Sequence, residues 1–130
     1  MSLGRDFFDA DAHAQSLGIQ LVDDKAGWAK TQLTIQEQHL NSLNTAHGAV
    51  IFAIADTALA VAANNTEEAM GIGLQVSTSY LSMGKLGDVL TAETKAIAVK
   101  NRIGNYTADV INQNGELIAS CQGMVYRKQR

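Results

Sequence analysis

Asp56 is the one formally charged residue in the run from Thr45 to Asn64. A carboxylate set among apolar neighbours is costly unless something pairs with it or uses it. In use it serves as a general base or a nucleophile. Buried acids with perturbed proton affinity concentrate at functional sites, although hydrogen bonds satisfy others in purely structural roles. Eight positions earlier stands Gly48, in the run His47-Gly48-Ala49. Near a helix start, a glycine leaves the free backbone N–H groups unobstructed. Those groups and the positive end of the helix dipole suit a developing negative charge. A carbonyl under attack becomes such an oxyanion. The same glycine also suits simple close packing. Asn41 lies just upstream in a polar loop, where its side chain can hold a carbonyl, orient a water or make an ordinary turn.

Spacing constrains how these residues cooperate. Eight helical positions amount to roughly 12 Å along the axis, and side chains that far apart diverge by about 80°. An attacking group and an oxyanion donor must both lie within about 3 Å of the reacting centre. Gly48 and Asp56 of one helix cannot meet that condition together. Two such helices, antiparallel across a two-fold axis, can, and they would build two composite sites per dimer.

The element holding both residues reads as one long helix from Thr45 to Asn64. Fourteen of its twenty residues are apolar and lie all round the axis, which marks a buried helix. Before it, Asp6 to Leu17 reads as a short helix, with Phe7, Phe8, Ala14 and Leu17 near one stripe and Gly18 as its stop. Ile19–Val22 and Trp28–Ile35 read as strands joined by a turn at positions 23–27, and Gln36–Leu43 as polar and irregular. After the helix come four strands, Gly71–Leu81, Val89–Lys100, Ile103–Asn112 and Leu117–Arg127, rich in Val, Ile, Thr, Ala and Tyr. Turn signals separate them, Asn114-Gly115 being the strongest. One flat sheet cannot cover a helix on every side. A strongly curved antiparallel sheet wrapped around it, with a dimer partner closing the rest, can. The expected class is α+β, in the hotdog arrangement.

Composition narrows the partners. The 130 residues suit one domain with a modest core. Net charge is −3 and the basic residues form no long block, which argues against nucleic acid or an anionic membrane surface as partner. The apolar stretch from Ala49 to Ala63 is too short to span a bilayer. A single cysteine, Cys121, forbids an intrachain disulfide; with no leader peptide visible, a cytoplasmic location is expected. The three histidines lack a zinc spacing, and no dinucleotide, phosphate-loop or nucleophile-elbow motif is present.

The stretch from His39 to Ala58, with Asn41, His47-Gly48-Ala49 and Ala55-Asp56-Thr57-Ala58, closely resembles the PaaI-like branch of the hotdog thioesterases. Tyr80-Leu81, Gly87-Asp88-Val89-Leu90-Thr91-Ala92, Gly104-Asn105-Tyr106 and Ile118-Ala119…Gly123…Tyr126-Arg127 are similar to that family too, so the likeness runs from about residue 35 to 127. The resemblance implies an acyl-CoA thioesterase without metal or other cofactor, dimeric or a dimer of dimers, often acting on aryl- or phenylacetyl-type acyl groups. By position, Asp56 would be general base or nucleophile, the Gly48 N–H would polarise the carbonyl, and Asn41 would place the substrate or water. His47 would be structural at the substrate's edge rather than a base, with Thr57 beside Asp56. Lys100 and Arg102, along with Lys85, Arg127 and Lys128, are candidates for CoA phosphates.

Three departures stand out. Ala49 replaces the family's second glycine. Ser82-Met83 occupies the place of its usual proline. Gly73 stands where some relatives carry a water-holding serine, a role that Ser77 or Ser79 would have to fill. Two rival functions remain open at this level: a non-catalytic acyl-CoA binding module, and a hydratase or dehydratase using His47.

Overall fold

The structure, a computed structural model, describes residues 2–130. Two short helices, α1 (Leu3–Asp9) and α2 (Ala12–Leu17), precede the strands β1 (Gln20–Lys25) and β2 (Trp28–Thr34). A single 3-10 turn at Glu37–His39 leads to the long helix α3 (Gly48–Ala63). Four strands follow: β3 (Ala69–Tyr80), β4 (Val89–Val99), β5 (Ile103–Ile111) and β6 (Leu117–Gln129). All six strands form one antiparallel sheet in the order β1-β2-β4-β5-β6-β3.

α3 lies against the inner face of this sheet, as expected from its apolar surround. Alternation explains which residues meet it. Ala29, Thr31 and Leu33 of β2, Leu90, Ala92 and Thr94 of β4, Tyr106, Ala108 and Val110 of β5, and Ala119, Cys121 and Val125 of β6 are all buried. Thr31 ties the two layers together by donating from its hydroxyl to the Ile54 carbonyl at 2.8 Å. Gly123 and Gly71 belong to the same face. A side chain at Gly123 would strike Leu59, and a Cβ at Gly71 would lie 2.7 Å from that of Ala63.

Most element ends shift by one to three residues, and three of the differences have a clear local reason. The expected helix from Asp6 to Leu17 is two helices, because Asp11 caps a new one by accepting from the Ala14 N–H at 3.0 Å. The break resets the phase, so Phe8 and Ala14 are buried while Phe7 is exposed. β1 runs on to Lys25, which shrinks the turn to Ala26-Gly27 with Gly27 at φ 75°. α3 begins at Gly48 rather than Thr45, because Ala46 bridges Leu40 and its N–H donates to the Gly84 carbonyl.

Candidate active site

The tip of α3 is built from one tightly held peptide unit. His47, the N-cap, is extended (φ −62°, ψ 135°), and its Nδ1 accepts from the Ala49 N–H at 2.9 Å. The Gly48 carbonyl, on the other side of that same peptide, accepts from the Tyr80 hydroxyl at 2.9 Å. Hydrogen bonds at both ends of a peptide polarise and reinforce each other. The Gly48 N–H is left over: among the described residues nothing accepts from it. A free amide at a helix N-terminus, beside a residue without a side chain, is a ready donor for an oxyanion.

The cap also decides what His47 can do. With Nδ1 accepting from the Ala49 N–H, the lone pair of that nitrogen is engaged in the cap. That argues for the structural role and against a hydratase base.

Asp56 lies two turns further along, on the least buried stripe of α3, formed by Ala49, Phe52, Asp56 and Ala60. It opens into a cleft of about 440 Å³ walled by Ala49, Phe52, Ala53, Thr57 and Ala60 and, from α2, by Asp11 and His13. Burial raises the proton affinity of its carboxyl above the ordinary aspartate value, and the negative charge of Asp11 raises it further. Thr57, buried beside it, completes the wall.

The other expected residues fall in three places. Asn41 makes the turn before α3: its Oδ1 accepts from the Leu43 N–H (2.9 Å), the Thr45 N–H (3.1 Å) and the Thr45 hydroxyl (3.2 Å). Its amide nitrogen has no partner among the described residues, and Asn41 lines a separate open depression with Glu37, Leu40, Asn44 and Leu86. Lys100 and Arg102 are exposed on the β4–β5 turn. Arg127 donates to carbonyls of that turn and, with Ala62 and Ala63, lines one groove, so the turn lies by the C-terminal end of α3, away from Gly48.

Ser77 requires correction. It pairs with Gln122 and shares the outer face with Gln75, Asn105 and Met124. The sheet therefore stands between Ser77 and α3, and Ser77 does not join Gly48 or Asp56 of its own chain. Alternation puts Ser79 on that outer face too. A bulge between Gly73 and Gln75 sets this phase, placing Val76, Thr78 and Tyr80 inward. Thr78, whose hydroxyl is 3.4 Å from Cys121 Sγ, is the inward-facing polar residue of that segment.

Two contributors escaped the sequence reading. Tyr80 was visible only as part of a strand motif, since its bond to Gly48 spans 32 positions. Asp11 looked like the middle of a helix rather than the cap of a second one.

Comparison with known proteins identifies the family. Residues 43–119 match the family model described as thioesterase superfamily. The acyl-coenzyme A thioesterase PaaI of Escherichia coli K12 is 31 % identical over 120 residues, covering 92 % of this chain and 85 % of that protein. A protein of Archaeoglobus fulgidus with the provisional name of an esterase is 34 % identical over 111 residues, covering 85 % and 71 %. The solved structure of the E. coli PaaI protein from the phenylacetic acid degradation operon superposes with a TM-score of 0.92 at 29 % identity, over 96 % of this chain and 90 % of that one. The chain thus belongs to the thioesterase superfamily, as a thioester hydrolase of the PaaI-like hotdog kind.

Proposed function

We propose that this enzyme hydrolyses acyl-CoA thioesters to free acid and CoA at sites shared between two protomers, with Asp56 as the catalytic carboxylate. The observation that carries the reading is the division of labour along α3. Its tip offers a free Gly48 N–H, while its half-buried stripe offers an acid of raised proton affinity, roughly 12 Å further along the axis. Two protomers with antiparallel α3 helices bring Asp56 of one to the Gly48 amide of the other. The free edge of β3 supports such pairing. This strand has twelve residues, none charged, and among the described residues β6 is the one strand it pairs with. A long uncharged edge is a template for another strand.

In the reaction, the thioester oxygen accepts from the Gly48 N–H of one protomer. Asp56 of the other takes a proton from water as the water oxygen bonds to the carbonyl carbon. The carbonyl electron pair moves onto the held oxygen, then returns and expels the CoA sulfur, which takes the proton from Asp56. The same geometry also serves direct attack by Asp56, giving an anhydride that water then opens. Thr57 borders the Asp56 side of the composite site, and Asn41, in the loop that leads into α3, would place the substrate or the water from the Gly48 side. Lys100 and Arg102 are exposed cations available to CoA phosphates. The apolar wall of Phe52 and alanines suits a compact acyl group, aryl or phenylacetyl among them.

Subunit complementation tests the composite site. Asp56→Asn removes the base and should lower kcat by about 10²- to 10⁴-fold. Gly48→Pro removes the donor: proline is well tolerated at the first helical position and His47 already has the extended backbone that proline requires before it, while the Tyr80 ring, 3.3 Å from a Cβ at this position, must give slightly to admit it. That change should cost about 10²- to 10³-fold. Co-expressed in equal amounts, the two variants form mixed dimers with one intact site each, restoring about one quarter of wild-type turnover. A mixture no more active than the sum of its parts sinks the shared site. Wild-type turnover by Asp56→Asn removes Asp56 from the mechanism.

A further inference from the structure

Asp11 lies outside residues 43–119, the span that matches the family model, yet it forms part of the Asp56 cleft. The break between α1 and α2 puts it there. Its Oδ1 is held by the Ala14 N–H at 3.0 Å, so the carboxylate is fixed on the cleft wall rather than swinging in solvent. We infer that Asp11 is a positioning residue for the hydrolysis, an electrostatic partner whose fixed charge sets the pH range in which Asp56 works. The inference rests on the reading of Asp56 as the catalytic carboxylate.

Among the charged groups on elements packed against α3, Asp11 shares the Asp56 cleft; Arg5, Asp6 and Asp9 of α1, with Arg5 3.9 Å from Asp9, and Asp23, Asp24 and Lys25 of β1 are not part of its wall. The inner faces of β2 and β4 present Ala29, Thr31, Leu33, Leu90, Ala92 and Thr94, none of which titrates. Tyr106 of β5, Tyr80 of β3 and Cys121 of β6 have proton affinities raised by burial, which keeps them neutral at physiological pH. From α2 come Asp11 and His13 alone, and a protonated His13 would act in the opposite sense. A negative charge at Asp11 disfavours ionisation of Asp56, in the direction found for that carboxyl. A carboxylate that holds its proton more tightly is also a stronger base once it has lost it. The charge on α2 thus trades activity at low pH for basicity above it.

Asp11→Asn isolates this effect, because asparagine is an equally good N-cap and keeps the acceptor for Ala14 while removing the charge. Two readouts are needed: the titration of Asp56 followed by carboxyl-carbon NMR, and the pH dependence of kcat/KM with phenylacetyl-CoA. In the variant both should shift to lower pH by roughly half a unit. On the acid limb that means about a threefold gain in kcat/KM over wild type. The difference should shrink as salt rises from 0.05 to 0.5 M, since screening across an open cleft strengthens with ionic strength. His13→Gln, run alongside, separates the histidine's share. An Asp56 titration that is the same in wild type and Asp11→Asn overturns the inference. A titration that moves while the acid limb of the rate stays put supports the electrostatic coupling and overturns instead the assignment of Asp56 as the base.

Discussion

In the proposed mechanism, Asp56 sets function against stability within a single side chain. Burial first, and the charge of Asp11 second, make its carboxyl hold a proton more tightly in the folded chain than in the unfolded one. Below the ordinary carboxylate range both states are protonated and the site costs nothing extra. As pH rises through the higher folded-state value, the folded protein must carry a charge that water would solvate better, and stability falls. Asp56→Asn should therefore melt a few degrees higher than wild type at pH 7 to 8. The gap should close near pH 3, as thermal unfolding across that range will record. At this scale the sequence was readable where chemistry is local. Asp56 stood out as a charge in an apolar run and Gly48 as a glycine at a helix start. Ser77 was misplaced because one bulge at Gly73–Gln75 sets the phase of everything after it, and a two-residue period cannot reveal an inserted residue. Asp11 stayed hidden because its partner lies 45 positions away along the chain.

Among the elements, α3 decides the most, and its two ends are managed differently. The C-terminal end is closed by Asn64, whose side chain donates to the Ala60 carbonyl at 2.9 Å and accepts from the Gly71 N–H at 3.0 Å, locking the helix to β3. The N-terminal end depends on the imidazole of His47. Removing that acceptor in His47→Ala strands the Ala49 N–H and should cost about 1 kcal/mol, measured by urea unfolding. His47→Asn supplies another capping oxygen and should recover both most of the stability and more than half of the turnover. If His47 were a base, the asparagine variant would be as inactive as the alanine one. The length and burial of α3 were evident from composition alone. Its true start was not, since Ala46 has strong helical preference and is drawn out by pairing with Leu40 and Gly84, contacts that no local propensity encodes.

For the whole molecule, the strand order leaves two unlike edges. β1 is short and carries Asp23, Asp24 and Lys25, the protected kind of edge. β3 is long, uncharged and lined with exposed Ile72 and Leu74. The composite site predicts a concentration-dependent enzyme. On dilution below the dissociation constant of the dimer, specific activity should fall in step with the loss of dimer seen by mass photometry. Constant activity per chain in a fully monomeric sample would exclude a shared site. The curved sheet around a buried helix was legible because a single flat sheet among the predicted strands cannot cover a helix that is apolar on every side. The outer face was not, because alternation tells which side a residue takes but not what lies beyond it.

The donor at the tip of α3 is main chain, and it is braced by Tyr80 and His47 from either side. No change of side chain at position 48 short of proline deletes it, and no change of pH discharges it. On the proposed mechanism, activation of the carbonyl is therefore the invariant half of this catalyst. Preference for one acyl group and tuning to one acidity are left to the cleft walls, which can drift over evolutionary time without extinguishing the reaction.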